Sequence, residues 1–238
     1  MFIKTTILNF ILYLRNPKVP QSNTSVITIK SFCILFIFSI FVTYFLDLIS
    51  SNFWLINKLK ITNIESHLKD IYLKGFWVGI ISIVIAPPLF EELSQRFYLK
   101  SFVWNNTFVP INIGLIIILL FKIQGYYLLI LCPIILIIAN KVYSRVVNYK
   151  KDKFKLLRFY INNYNLYFYL SALAFGAAHI GNYETAHFIP ILPIFLVLPQ
   201  IFGGLILGYI RVFMGLSWSI LFHALNNLVF LILIFINH

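Results

Sequence analysis

Long apolar runs alternate with short polar segments along almost the whole chain. An α-helix needs roughly 20 mostly apolar residues to cross about 30 Å of hydrocarbon. Seven runs fit or approach that length, and they lie near residues 31–50, 71–92, 107–122, 125–140, 164–182, 189–210 and 215–236. The pattern therefore predicts an all-α fold, a polytopic transmembrane helix bundle of about seven spans.

The segment ahead of the first span predicts a different kind of helix. Residues 1–15 mix apolar side chains with Lys4 and Arg15, and no small-residue cleavage site follows them. Interfacial helices have this mixed pattern, whereas a signal peptide has a longer apolar core. We expect residues 1–26 to form an N-terminal interfacial helix and linker, and residues 27–238 to form a single transmembrane domain.

Composition excludes an ordinary soluble domain. The chain is 61% hydrophobic and 11% charged, against roughly 45–50% and about 25% in soluble proteins. Its richness in Ile, Asn, Lys and Phe is typical of an AT-rich bacterial genome, so we expect an integral protein of the bacterial inner membrane. Cys33 and Cys132 both lie in apolar runs without ligand spacing, which argues against a disulfide framework or a cysteine zinc site.

The charge of the chain predicts its orientation. Nineteen Lys and Arg against seven Asp and Glu give a net charge of +12. If the N-terminus is inside, all but five of these 19 basic residues fall in cytoplasmic segments, as the positive-inside rule requires. The five on the other side are Lys58, Lys60, Lys69, Lys74 and Lys122. We therefore predict an N-in bundle whose basic loops contact anionic membrane lipid, with no nucleic-acid partner.

Three polar clusters interrupt the apolar runs. They read EELSQR at 91–96, FGAAH at 175–179 and HALNN at 223–227. Ionisable groups inside a span cost about 2.5 to 3.5 kcal/mol each and are by default functional candidates. The clusters are therefore the first place to look for chemistry.

Helical spacing assigns partners within the clusters. Glu92 and Arg96 are four residues apart, which predicts an ion pair on one helix face. Glu91 then points about 100° away around the same helix. His223 and Asn227 share a face of the last span, while Phe175 lies one turn before His179 as packing or a lid.

A carboxylate, two imidazoles and an amide from three helices suit hydrolysis. A desolvated carboxylate can take a proton from water, and His and Asn donors can stabilise an oxyanion. Taken singly, His179, His223 or Asn227 is more often a hydrogen-bonding contact between helices than a catalytic group. Because the clusters occur together, we expect Glu91, His179, His223 and Asn227 to converge on one cavity open to the cytoplasmic half of the bilayer.

These three motifs resemble those of the CPBP intramembrane proteases, the group that includes the type 2 CAAX prenyl proteases and bacterial Abi or bacteriocin-immunity relatives. The family pattern is Glu-Glu-x-x-x-Arg, then Phe-x-x-x-His, then His-x-x-x-Asn, and all three occur here in that order. The stretch GGLILGYIR at 203–211 is also similar, and the resemblance covers about residues 75–235. Gln95 and Phe97 depart from the aromatic residue and the glycine that many members carry beside the motif arginine.

The resemblance implies an intramembrane endopeptidase acting on a membrane-associated protein or peptide. By similarity, Glu91 is the general base, His179 holds the water, and His223 with Asn227 forms the oxyanion hole. Glu92 with Arg96 fixes the first motif helix. No cofactor is required in this version; the alternative is a zinc site made by Glu91 and the two histidines.

A second reading is a catalytically silent membrane binding or bacteriocin-immunity protein that uses the same pocket. Prenylated substrates are not expected in a bacterium, so another membrane peptide or protein is the favoured substrate. A transporter is a weaker alternative, because no inverted repeat is visible. The sequence does not predict an oligomeric state.

Overall fold

A computed structural model describes residues 2–19, 28–51, 62–63, 75–96, 99, 150–180, 183–184 and 195–237. Helices make up nearly all of this part of the chain. In chain order they are α1 (Phe2–Arg15), α2 (Ile29–Ser51), α3 (Phe76–Gly79), π1 (Ile80–Ile85), α4 (Ala86–Arg96), α5 (Lys150–Asn162), α6 (Tyr164–Ala178), α7 (Leu198–Phe213) and α8 (Leu216–Asn237). Two-residue strands, β1 (Thr62–Asn63) and β2 (Tyr183–Glu184), pair antiparallel. The predicted helical architecture is confirmed.

Three continuous helical stretches in the described residues are long and apolar enough to cross a membrane. They cover Ile29–Ile49, Phe76–Leu93 and Leu216–Leu233, in agreement with the predicted spans at 31–50, 71–92 and 215–236. The second stretch runs through α3, π1 and α4. α6 has 15 residues and α7 has 16, so at 1.5 Å per residue each is shorter than the hydrocarbon core. The predicted spans at 107–122 and 125–140 lie outside the described residues. The total of seven spans and the N-in orientation stay predictions.

α7 is the central helix of the described bundle. It packs against α6 on one side and α2 on another, and it also contacts α1 and α8. Its buried Ile206, Leu207 and Ile210 belong to an apolar cluster that includes Phe10 of α1 and Phe222 of α8. This core holds α7 together with α6 and α8, the helices that carry the second and third polar motifs.

α6 and α7 approach so closely that glycine is needed between them. A Cβ added at Gly204 would lie 3.0 Å from the Cα of Ala172, and one at Gly208 would lie 2.9 Å from the ring of Phe168. We call this contact, made by Phe168, Ala172, Gly204 and Gly208, the glycine seam. Close backbone approach through small residues is a common way to pack membrane helices.

A tight turn at Gly215 brings α8 back beside α4. Gly215 has a φ of +107°, a conformation that L side chains rarely adopt. The Met214 amide closes the last turn of α7 by donating to the Ile210 carbonyl at 2.8 Å. From this turn, α8 runs along π1 and α4 and places the HALNN motif against the first motif.

Candidate active site

Glu92 is the centre of a buried polar network between α4 and α8. Arg96, one turn later on α4, forms an ion pair with the Glu92 carboxylate through Nη1, and Ser219 Oγ donates to the same carboxylate. His223 Nδ1 lies 3.1 Å from Glu92 Oε1. The side chains of Glu92 and Arg96 are fully buried, so the ion pair that the four-residue spacing predicts is confirmed.

Glu91 is set apart from its neighbour by exposure and by contacts. Its side chain is 29% exposed, and its Oε2 lies 3.8 Å from Nε2 of His223. Since a carboxylate oxygen can only accept, His223 Nδ1–H donates to Glu92, and Nε2 is the ring nitrogen that faces Glu91. The imidazole of His223 therefore stands between the two carboxylates.

The second motif joins this cluster through Phe175. The Phe175 ring centroid lies 4.7 Å from that of His179 and 5.4 Å from that of His223. Its face also contacts the Arg96 guanidinium, whose central carbon is 4.3 Å from the ring centroid. This geometry is that of a cation–π contact, so Phe175 acts as packing between the motifs.

The backbone fixes the orientation of the His179 ring. His179 lies at the C-terminal end of α6, and its Nδ1 donates to the Phe175 carbonyl at 2.7 Å. In the neutral imidazole this leaves Nε2 as the hydrogen-bond acceptor. A half-buried acceptor of this kind can hold a water molecule.

Asn227 lies one turn beyond His223 on the same face of α8. Its Nδ2 donates to the carbonyl of Ile83 in π1 at 2.9 Å. The adjacent Asn226 instead donates to the Phe222 carbonyl of its own helix at 3.1 Å. We call Glu91, Glu92, Arg96, His223 and Asn227, with Ser219, the polar seam.

Side chains from α6 and α7 hold the C-terminal end of α4. Ser171 Oγ donates to the Gln95 carbonyl at 2.9 Å, and Arg211 Nε donates to the Arg96 carbonyl at 3.0 Å. These carbonyls belong to the last turn of α4, where helical donors run out and cations are favoured. The carboxylate-bearing helix is thereby fixed against both helices of the glycine seam.

The sequence pattern does not identify Ser171 or Ser219 as part of the site, and it predicts a different role for Arg211. The charge pattern places Arg211 among the cytoplasmic basic residues, and the structure buries its side chain, which donates to the Arg96 carbonyl at the end of α4. Ser171 carries no local signal. Ser219 could have been found, because it lies four residues before His223 and so shares the face of His223 and Asn227.

The described ranges contain no group of three or more His, Cys, Asp or Glu side chains arranged to hold a metal ion. His223 engages Glu92 through Nδ1, and Glu91 Oε2 lies 3.8 Å from its Nε2. Within the described ranges, Glu91, His179 and His223 do not form such a group.

Membrane-length helices and a buried carboxylate–histidine cluster indicate an integral membrane protein with a polar site inside its helix bundle. A model of the Rce1-like family, described as type II CAAX prenyl endopeptidase Rce1-like, matches residues 73–229. The match spans more than half of the chain and contains all three motifs, so the chain belongs to this family. The resemblance inferred from the motifs is confirmed. No curated protein and no solved structure shows a significant match.

Proposed function

We propose that this membrane protein is an endopeptidase in which Glu91 activates water to cleave a peptide bond of a membrane-associated protein or peptide. The proposal rests on the difference in exposure and in bonding partners between the adjacent acids Glu91 and Glu92. Glu92 is fully buried and bonded to three partners, whereas Glu91 is 29% exposed and faces His223 Nε2. Glu91 is therefore the acid that water can reach.

The proton moves in two steps. Glu91 takes a proton from water while the water oxygen bonds to the substrate carbonyl carbon, which gives a tetrahedral oxyanion. Glu91 then returns the proton to the amide nitrogen as the C–N bond breaks. His179 contributes Nε2 as the acceptor that orients the attacking water, since its Nδ1 is bound to Phe175.

His223 and Asn227 supply the donors for the oxyanion. Asn227 Nδ2 carries two hydrogens, and its bond to Ile83 uses one of them. His223 donates to the oxyanion from Nε2 when that nitrogen carries a hydrogen, while Nδ1–H stays bound to Glu92. Fixed donors in a dry site stabilise a developing oxyanion by several kcal/mol.

This chemistry needs no cofactor, because proton transfer and oxyanion stabilisation come from the chain itself.

The substrate class follows from the location of the site in membrane-spanning helices. We place the protein in a bacterial inner membrane on the strength of its composition. A membrane-anchored peptide without a prenyl group is therefore the substrate that we favour.

Hydrolysis can be tested with purified protein in liposomes. Two probes are offered separately, a farnesylated peptide ending in a CAAX sequence and an unprenylated transmembrane peptide, and products are identified by mass spectrometry. We expect several turnovers per enzyme, with a new carboxylate and a new amine at one bond. Stoichiometric binding of both probes without any cleavage would identify a silent binding protein instead.

Chelation separates the glutamate mechanism from a zinc mechanism. If Glu91 acts on free water, chelators leave the rate unchanged, and elemental analysis of active protein shows well under one metal ion per chain. Activity that is lost on chelation and restored by zinc would overturn the glutamate mechanism. In that case His179→Ala and His223→Ala would each lose the metal.

A further inference from the structure

Two adjacent prolines interrupt the helix that carries the carboxylates. Pro87 and Pro88 follow Ala86, the first residue after π1. Hydrogen bonds in π1 join residues five apart: the Ala86 amide donates to the Ile81 carbonyl. The carbonyl of Ile83 would take its donor from residue 87 in an α-helix and from residue 88 in a π-helix. Proline has no N–H, so Ile83 lacks a helical donor in either register.

Asn227 supplies the missing donor from another helix. Its Nδ2 lies 2.9 Å from the Ile83 oxygen. A carboxamide can be turned over to exchange its oxygen and nitrogen, but only the nitrogen can donate to a carbonyl. The bond to Ile83 therefore sets which way the Asn227 carboxamide faces and leaves its second N–H in a fixed direction.

We propose that the Pro87–Pro88 pair positions Asn227 for the reaction by keeping the Ile83 carbonyl open to its carboxamide. The inference deepens the proposed function and rests on it for its kinetic consequences. Pro87 and Pro88 are positioning residues that act through Asn227. A proline pair inside a membrane helix is otherwise a cost to helix stability, and this role accounts for it.

Restoring the missing N–H groups tests the proposal. Pro87→Ala adds the α-register donor and Pro88→Ala adds the π-register donor, and either competes with the Asn227 carboxamide for the Ile83 carbonyl. We expect both variants to unfold no earlier than wild type, with kcat lowered about 10- to 100-fold and KM unchanged. The control is Pro199→Ala, because Pro199 lies in the first turn of α7, where no helical donor is lost.

A double-mutant cycle separates positioning from a general structural role. In an Asn227→Ala background, Pro87→Ala should change kcat by less than about twofold, because the group it acts through is gone. Wild-type kcat in both proline variants would overturn the proposal. So would failure of both to fold, or an equal loss of kcat with and without Asn227.

A readout independent of activity keeps the two proposals distinguishable. In detergent micelles with ¹⁵N-labelled asparagine, the Asn227 carboxamide signals are assigned by their absence in Asn227→Ala. We expect their hydrogen exchange to speed up in Pro87→Ala or Pro88→Ala, while the Asn226 signals stay unchanged. If wild type hydrolyses no peptide, the proposed function fails, and this exchange measurement still decides the positioning role. Unchanged exchange at Asn227 in both variants would overturn it.

Discussion

The polar seam and the glycine seam join neighbouring helices in opposite ways. In the glycine seam, α6 and α7 meet through two glycines, Ala172 and the ring of Phe168, and a Cβ added at Gly204 would lie 3.0 Å from the Ala172 Cα. In the polar seam, α4 and α8 meet through two carboxylates, an imidazole, a guanidinium, a hydroxyl and an amide.

The difference shows which contact exists for packing alone. Small residues bring helices together without desolvating any charge. Buried ion pairs are weak sources of stability, since well-packed apolar residues often replace them without loss. The proposed hydrolysis accounts for a polar seam beside an efficient apolar one. The predictions below separate the two seams by their effects on stability and on turnover.

Glu92→Gln should have the largest effect on stability. It strips the fully buried Arg96 of its carboxylate, and breaking such a pair costs about 3 to 5 kcal/mol. The free energy of unfolding in mixed micelles measures this loss. Glu91→Gln is the matched control, because the same substitution one residue away leaves the network intact. Equal stability of the two variants would contradict the division of roles between the acids.

Asn227→Ala should lower turnover more than any other substitution except loss of the base, Glu91. Loss of one oxyanion donor lowers kcat by about 10²- to 10³-fold with little change in KM. Steady-state kinetics on the cleaved probe measures both constants. Asn226→Ala is the control, since that amide donates to its own helix. A rise in KM alone would place Asn227 in substrate binding instead.

Ser219→Ala should have an intermediate effect on stability. The hydroxyl donates to the buried Glu92 carboxylate, and hydrogen bonds to charged groups contribute about 1.5 to 3 kcal/mol. The exposed Ser217, two residues earlier on α8, gives the matched control. If Ser217→Ala and Ser219→Ala unfold together with wild type, the hydroxyl does not hold the network.

Gly204→Ala should have the smallest effect on stability, and this effect should be confined to the glycine seam. The added methyl must displace the Ala172 backbone, and such overpacking costs about 1 to 3 kcal/mol. Gly203→Ala is the control, because a Cβ there meets no atom within 4 Å. The difference between the unfolding midpoints of the Gly204→Ala and Gly203→Ala variants measures how closely α6 and α7 pack. Identical midpoints would mean that α6 and α7 lie further apart.

Local spacing in the sequence predicts the parts of the site that one helix determines. The Glu92–Arg96 pair and the shared face of His223 and Asn227 follow from a four-residue repeat. Contacts between helices do not follow in this way, because they depend on how each helix is rotated in the bundle. The bond of Arg211 to the α4 end and that of Ser171 to Gln95 are of this second kind.

The sequence likewise predicts some features of the fold and not others. Continuous apolar runs predict the helices at 31–50, 71–92 and 215–236, because hydropathy and length alone define a span. Those runs do not distinguish a π turn from an α turn, so π1 was not predicted. Pro87 and Pro88 are the sequence signal beside it, since they remove two consecutive helical donors.

The most direct test of the account is the single-turnover rate of Glu91→Gln with saturating membrane peptide. The amide keeps the shape of the side chain but cannot accept a proton from water. We expect a variant that folds like wild type, binds the peptide with unchanged affinity and cleaves it at least about 10²-fold more slowly. Cleavage at the wild-type rate by folded Glu91→Gln would contradict the central claim that Glu91 is the base.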